Sequence, residues 1–481
     1  LAAKQRPRDP RINELCETLA RHEQAHVLEH WHGLDEPGRE RLFLQLDRLA
    51  PQLEELTRAY RSGLPASANP TATRSIEPIE SIVLPEGGGD PKRAEKARKR
   101  GLDVLAEGRM GVFLVAGGQG TRLGFPHPKG CFPVGPVTDR SLFEIQAQKI
   151  RGLSRRTGCV VPWYIMTSDA TDTETRQAFE AHDYFGLDPG NVQIFQQDMV
   201  PAFDFNGRLI LERPDRVFEN PNGHGGSLTA LEHSGALDDM DRRGIDTLFY
   251  YQVDNPLVKI GDPVFLGFHH EAGAELSCKV VSKQDPMEKL GVVARIDKRV
   301  GIVEYTELAD PERYARDEQG RLRFRAGNIA VHLFSTSFVR RIAADAFTQL
   351  PFHLSAKKIP FVDGQGRTQI PEEANGYKLE RFVFDALQAA DRVCVVETTA
   401  LEEFSPIKNA RGTESAETCR RDLVAQYTRW LEAGGIEVPQ RVEAIEIDHS
   451  VIDGTQDAAA AGFQSLAEAS SAVRTVNGSD S

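Results

Sequence analysis

The chain has 481 residues, 40% of them hydrophobic and 27% charged, an ordinary globular composition that excludes a disordered chain or a fibrous repeat. At roughly 150 residues per domain the length suggests about three domains, enough to bury a large core without disulfides or a structural metal. A net charge of −13 argues against broad nucleic-acid binding, although a local basic pocket for a small phosphorylated ligand remains compatible with it.

The opening stretch LAAKQRPRDP is polar and lacks the apolar core of a secretory signal. The absent initiator Met suggests that the stretch begins inside a longer product. Residues 10–61 read as helical, with Ile12, Leu15, Leu19, Val27, Leu28 and Trp31 spaced mostly at three and four residues. Asp35 and Pro37 mark a helix start, and Pro51 opens a further helix. His26, His30 and His32 lack a carboxylate or thiol at metal-site spacing, so a solvated helix face is the better reading. Residues 62–91 read as a connector with Pro65, Pro70, Pro78, Pro85 and Pro91 and a Gly87–Gly89 turn. The charges of the next helix, PKRAEKARKRGLDVLAEG, also read as a solvated face.

From 110 to about 400, short apolar runs alternate with amphipathic helices, which implies βαβ units and a mainly parallel sheet. ELSCKVVSK, LGVVARID and VGIVEYTEL follow one another without helices and read as antiparallel strands inserted near the sheet edge. After 401 come one amphipathic helix, short β-like runs and an Ala/Ser/Gly-rich tail expected to fray. The domains expected are a helical arm and linker (1–105), a catalytic domain (106–400) and a small C-terminal domain (401–481). No apolar run approaches the ~18 residues of a membrane span. The cysteines are dispersed without a CxxC pair, as in a reduced cytoplasmic protein.

The chemistry-bearing signals lie at strand ends. In VAGGQGTRLGFPHPKG, Gly117, Gly118 and Gly120 follow a strand and let the backbone approach a phosphate. Arg122 and Lys129 flank that loop with two positive charges. The order is neither GxxxxGK[ST] nor GxGxxG. In YYQVDNP an apolar strand ends at Asp254, where a carboxylate can hold Mg²⁺ against a triphosphate. Alone, Asp254 reads equally well as a turn or N-cap residue; the glycine loop one strand away favours the metal. In PNGHGGSLTAL, glycines precede a helix, and His224 could donate to sugar or phosphate or be an ordinary loop histidine.

With these motifs stand FQQDMVPAF, VDNPLVKIGDP, VEYTEL, AGNIA, KKIPFVD, GYKLERFVFD and FSPIKNA, in one order over roughly residues 22–435. The chain thereby resembles the UDP-sugar pyrophosphorylases, the group that includes the eukaryotic UDP-N-acetylhexosamine enzymes. The resemblance implies an α/β fold with a Rossmann-like, mainly parallel central sheet of the GT-A-like nucleotide-diphospho-sugar transferase kind. It implies that Val115, Ala116, Gly117 and Gly118 cradle the nucleotide, that Gln197 reads the uracil edge and that Gly223 packs on the ring. Arg122, Lys129 and Lys378 would hold phosphates, Lys408 would meet the sugar phosphate, and Asp254 would ligate Mg²⁺. Gly291, Glu304, Tyr305 and Asn328 would line the sugar pocket, with His224 beside it. Hexosamine enzymes have GNGG where this chain has GHGG, and FNAGN where it has Phe324–Asn328 with Arg325 second. The C-terminal region is also shorter than theirs.

The implied reaction joins UTP to a sugar 1-phosphate, giving a UDP-sugar and pyrophosphate. The sugar phosphate oxygen attacks the α-phosphorus in line, so catalysis reduces to positioning and charge stabilisation. The sugar expected is N-acetylglucosamine 1-phosphate. The alternatives are glucose or galactose 1-phosphate, or broad UDP-sugar synthesis; more distant are a non-catalytic nucleotide-sugar sensor and a Rossmann dehydrogenase. GxSxG, HExxH and Cys-His signatures are missing, and Cys131 reads as a packing residue. The other expectations are a monomer, no nucleic-acid partner and no membrane.

Overall fold

The computed structural model describes residues 10–64 and 75–477. Pro65 and Pro70 of the expected connector, and the last four residues of the expected tail, lie outside them. Contacts group the chain into two units. The smaller takes the described residues of Leu1–Thr73, Asp198–Thr229 and Ala344–Ala386; the larger takes those of Arg74–Gln197, Ala230–Ala343 and Leu387–Ser481.

The smaller unit begins with α1 (Pro10–Arg21), α2 (Glu36–Leu49) and α3 (Leu53–Gly63). Asp35 caps α2 by accepting the Gly38 N–H at 2.8 Å, as the sequence implies. The apolar stripe read through to Trp31 does not stay helical beyond Arg21: Glu23 turns left-handed (φ 61°) and two 3₁₀ turns follow. Leu19, Leu42, Leu46, Leu53 and Leu56 are fully buried against Phe203, Val217 and Leu379. The N-terminal helices therefore do not form an arm of their own, because their apolar faces are covered by segments from the middle of the chain. His26 is not on a solvated face either; its Nε2 lies 2.7 Å from the Leu209 carbonyl.

The larger unit is built on an eleven-stranded sheet. Its strands are β1 (Ile76–Pro78), β2 (Ile82–Val83), β3 (Met110–Val115), β4 (Trp163–Thr167), β5 (Val192–Gln196), β6 (Thr247–Gln252), β7 (Leu276–Ser282), β8 (Val292–Ile296), β9 (Arg299–Val303), β10 (Ala326–Ser335) and β11 (Val393–Thr398). The main order is β2-β11-β7-β10-β6-β3-β4-β5, with β8 joining β1, β9 and β10. β6, β3, β4 and β5 run parallel, as do β7, β11 and β2, and β10 is antiparallel to both neighbours. β4 is buried throughout and β3 nearly so, which is how parallel strands covered on both faces read. The expected edge location fails for LSCKVVS: β7 lies between β10 and β11, and its burial along almost the whole strand explains the unbroken apolar run. Only β8 and β9 form the side hairpin.

Helices α4 (Pro91–Ala106), α5 (Leu142–Thr157), α6 (Pro263–Glu271) and α7 (Ala416–Ala433) belong to this unit. α4 and α6 touch through glycines: a Cβ at Gly101 would sit 1.8 Å from the Pro263 carbonyl oxygen, and one at Gly267 1.8 Å from that of Ala97. On α4, Lys92, Lys96, Lys99 and Arg100 are exposed, so the basic run is a solvated face. The C-terminal segment is not a separate body. Cys419, Leu423 and Tyr427 of α7 join the core that includes Leu114 and Ile150. The end of the described chain does not fray: β12 (Val442–Ile447) pairs antiparallel with β13 (Val473–Asn477). The expected boundaries at 105 and 400 thus do not match the contact grouping, because amphipathic segments are covered by partners distant in sequence.

Candidate active site

β3 ends at Val115 and hands over to the glycine loop. The Ala116 N–H donates to the Met166 carbonyl at 2.8 Å and the Val253 N–H to that of Val115 at 3.2 Å, tying the loop's base to both neighbouring strands. The Gly117 carbonyl accepts from the Ser168 hydroxyl at 2.8 Å. A Cβ at Gly117 would lie 2.9 Å from Gln197 Nε2, so the missing side chain lets that amide stand against the loop. A Cβ at Gly118 would meet nothing within 4 Å, so this glycine faces open space. The loop then folds back on itself, with Gly120 N–H to the His127 carbonyl at 2.9 Å and Lys129 N–H to that of Gly118 at 3.0 Å. That return brings Lys129 to the loop's base while Arg122 stays exposed.

Asp254 follows β6, two residues beyond its end. Lys129 Nζ sits 3.8 Å from Asp254 Oδ2 and donates to the Ile407 carbonyl at 3.2 Å. These two side chains are 18% and 16% exposed, so the pair is partly desolvated yet reachable. The Ile407 N–H donates to the Asp254 carbonyl at 2.9 Å, which places Lys408 beside the turn. Lys408 Nζ pairs with Glu414 Oε1 at 2.9 Å. Asp254, Asn255, Leu290, Asn328 and Lys408 line one cavity.

Asn328 reaches that cavity through a defect in β10. Lys279 faces Val331 and Val280 faces Asn328, so Ile329 and Ala330 are extra residues of a bulge. Ala330 takes φ 56°, and its N–H donates to Asn328 Oδ1 at 3.1 Å. The Asn328 N–H donates to the Gly291 carbonyl at 2.9 Å. A Cβ at Gly291 would lie 3.3 Å from Glu304 Oε1, so these two residues are neighbours as well. Tyr305 is 36% exposed.

Gly223, His224 and Lys378 belong to the smaller unit. Gly223 takes φ 72°, and a Cβ there would lie 2.5 Å from the Arg381 carbonyl oxygen, so only glycine fits. His224 Nδ1 accepts the Val383 N–H at 3.1 Å, and the ring packs on Phe382 and Phe384. Burial, helped by the His353 imidazole, pushes its pKa down to about 4. His224 is therefore a neutral ring with Nδ1 as acceptor, leaving Nε2–H as its donor. Lys378 Nζ lies over the Phe218 ring at 4.9 Å, and burial lowers its pKa.

Cys131 is half-buried and its thiol is pushed up to about 11 by burial, as a packing residue would be. Sequence reasoning overlooked Ser168, which steadies the glycine loop, and Asn255, which follows Asp254 in VDNP. It also overlooked the buried charges Lys279, Asp262 and Glu403, which nothing in their local sequence marks.

The family model described as UTP–glucose-1-phosphate uridylyltransferase matches residues 70–422. The UDP-N-acetylhexosamine pyrophosphorylase-like protein 1 of Xenopus tropicalis is 39% identical over 427 residues, covering 86% of this chain and 83% of that one. The UDP-N-acetylglucosamine pyrophosphorylase of Saccharomyces cerevisiae is 34% identical over 434 residues, covering 87% and 91%. The solved uridine diphosphate N-acetylglucosamine pyrophosphorylase of Trypanosoma brucei superposes with a TM-score of 0.77 at 28% identity, covering 90% of this chain and 88% of that one. The chain belongs to the UTP–glucose-1-phosphate uridylyltransferase family of UDP-sugar pyrophosphorylases.

Proposed function

We propose that this protein transfers a uridylyl group from UTP to N-acetylglucosamine 1-phosphate, forming UDP-N-acetylglucosamine and pyrophosphate. The observation that carries the reading is the meeting of Lys129 and Asp254, 3.8 Å apart at the ends of neighbouring parallel strands, beside a glycine loop with one open face. The relatives named for N-acetylglucosamine or N-acetylhexosamine supply the sugar.

In this reading the backbone at Gly117 and Gly118 approaches the nucleotide, and the Gln197 amide pairs with uracil as both donor and acceptor. Arg122 and Lys129 hold the phosphates, and Lys408 draws in the sugar phosphate and orients its oxygen toward the α-phosphorus. Asn328 and Glu304 bond sugar hydroxyls, with Gly291 and Tyr305 shaping the wall. Gly223, Lys378 and His224 are assigned to ligand binding by the family resemblance. Among the described residues no three His, Cys, Asp or Glu side chains cluster as a ready metal site. A lone strand-end carboxylate fits Mg²⁺, which keeps waters and takes further ligands from substrate phosphates. Asp254 would hold that ion, which when bound neutralises triphosphate charge.

The test is pyrophosphate release by the purified protein with UTP and Mg²⁺, run with N-acetylglucosamine 1-phosphate and with glucose 1-phosphate. Selective release with the first supports the reading. Stronger release with glucose 1-phosphate moves it to UDP-glucose or broad UDP-sugar synthesis, the second reading, which His224 in place of asparagine favours. Silence with both, while UTP still binds, leaves the sensor. A cytoplasmic monomer goes with the reading, to be checked by fractionation and light scattering.

A further inference from the structure

We propose that Asn255 is a positioning residue: it clamps the 403–407 segment onto the turn after β6 and so sets where Lys408 stands relative to Asp254 and Lys129. The functional side of this inference rests on the uridylyl-transfer reading above.

Residues 404–408 lie in no helix or strand, so no ladder fixes their path. Cross-links tie them to the Asp254 turn; beyond these, the Ser405 hydroxyl donates to Asp422 Oδ2 at 2.7 Å and the Lys408 N–H to the Glu414 carbonyl at 2.7 Å. The Asn255 side chain spans both segments: Nδ2 donates to the Glu403 carbonyl at 2.7 Å, while Oδ1 accepts the Ser405 N–H at 3.1 Å and the Leu257 N–H at 3.3 Å. Asn255 is 5% exposed, so these bonds are made away from bulk water. The Ile407 N–H to Asp254 carbonyl bond and the Lys129 contact to the Ile407 carbonyl extend the same seam toward the cavity.

The far end of the clamp is anchored too. Glu403, whose carbonyl Asn255 holds, has its carboxylate on Lys279 Nζ at 2.6 Å and on the Thr398 hydroxyl at 3.1 Å. Asn255, one residue after the candidate metal ligand, therefore joins a rigid buried anchor to a segment with little structure of its own, which it holds at Ser405, three residues before Lys408. An amide is needed because the two segments present one carbonyl and two N–H groups, and only a side chain with donor and acceptor satisfies all three. Moving Lys408 by about 1 Å would cost on the order of 10²-fold in transfer.

The experiment compares Asn255→Ala and Asn255→Asp with wild type and with Leu237→Ala, a destabilised control whose residue is buried outside this network. Two properties are read: hydrogen exchange in peptides covering 404–410, and KM for sugar 1-phosphate and for UTP. Asn255→Ala should lose protection in 404–410 and raise KM for the sugar phosphate about tenfold, with KM for UTP within about twofold. Asn255→Asp keeps the acceptor and loses the donor to Glu403, so it should fall between. Leu237→Ala should lower the melting temperature and leave both readouts alone. Wild-type protection and wild-type KM in folded Asn255→Ala, or in Asn255→Asp should the alanine variant not fold, would overturn the clamp; so would the same losses in Leu237→Ala. Should wild type transfer no uridylyl group, the functional reading fails, and the exchange pattern alone still decides whether Asn255 holds the segment.

Discussion

Replacing Lys279 by methionine should be among the costliest single changes in the larger unit. The Lys279 ammonium is fully buried on β7, 2.6 Å from Asp262 Oδ2 and 2.6 Å from Glu403 Oε2. The two carboxylate side chains are only 1% and 3% exposed. Methionine fills the space and leaves two buried anions facing each other. Breaking a buried pair in this way costs about 3–5 kcal/mol. The lower end applies, because Asp262 keeps Lys259 at 3.6 Å and the Val264 N–H at 3.0 Å, and Glu403 keeps Thr398. A loss of about 3 kcal/mol is therefore expected in urea unfolding followed by the fluorescence of Trp163 and Trp430, both in this unit. Adding Glu403→Gln to Lys279→Met removes one stranded charge and should recover at least ~1 kcal/mol of the sum of the single losses. A single-variant loss below ~1 kcal/mol, or simple additivity in the cycle, would refute the reasoning. pH adds a check. Burial raises the Asp262 pKa, but Lys259 and Lys279 outweigh it and hold the group well below its ordinary value. A depressed carboxyl stabilises the fold above its unfolded pKa of about 3.9, and that stability is lost as pH falls toward the folded value. Lys279→Met should flatten this acid limb.

Lys129→Ala and Lys408→Ala should each lower uridylyl transfer on the order of 10²–10³-fold in a pyrophosphate-release assay, and Lys408→Ala should also raise KM for the sugar phosphate. Gly117→Ala would push a methyl against Gln197 Nε2, 2.9 Å from the added atom; UTP binding by calorimetry should weaken on the order of tenfold. His224, held neutral with a pKa of about 4, should make the fold lose stability as pH falls from about 6.5 to 4, because the unfolded ring protonates first. His224→Asn should remove this loss of about 3 kcal/mol between pH 6.5 and 4, and a pH series of melting temperatures that stays parallel to wild type would contradict it.

Several local features were legible in the chain itself. The α2 cap at Asp35, the buried parallel strands β3, β4 and β6, and the strand-end positions of the glycine loop and Asp254 all follow from short-range pattern. Strand burial leaves an unbroken apolar run, and a tight loop that another side chain approaches closely leaves glycines. The family resemblance added residues whose pattern is bland, Asn328 and Lys408 among them; the structure sets both on the cavity with Asp254. Less visible was the end of α1, where Glu23 adopts a left-handed conformation within an apparently continuous stripe.

What the sequence determined by itself was the class of fold, the glycine-rich loops at strand ends, and the charged residues beside them, because each depends on residues near one another in the chain. Which distant segments share a core was decided only by tertiary structure. An amphipathic face states that it must be covered and not by what, so α1–α3 found their cover in residues 198–229 and 344–386, and α7 joined the core of the larger unit. The same holds at the site. The bulge that presents Asn328, the Asn255 bridge to residues 403–405, and the buried Lys279–Glu403 anchor each depend on partners far along the chain, and no local period or spacing encodes such a meeting.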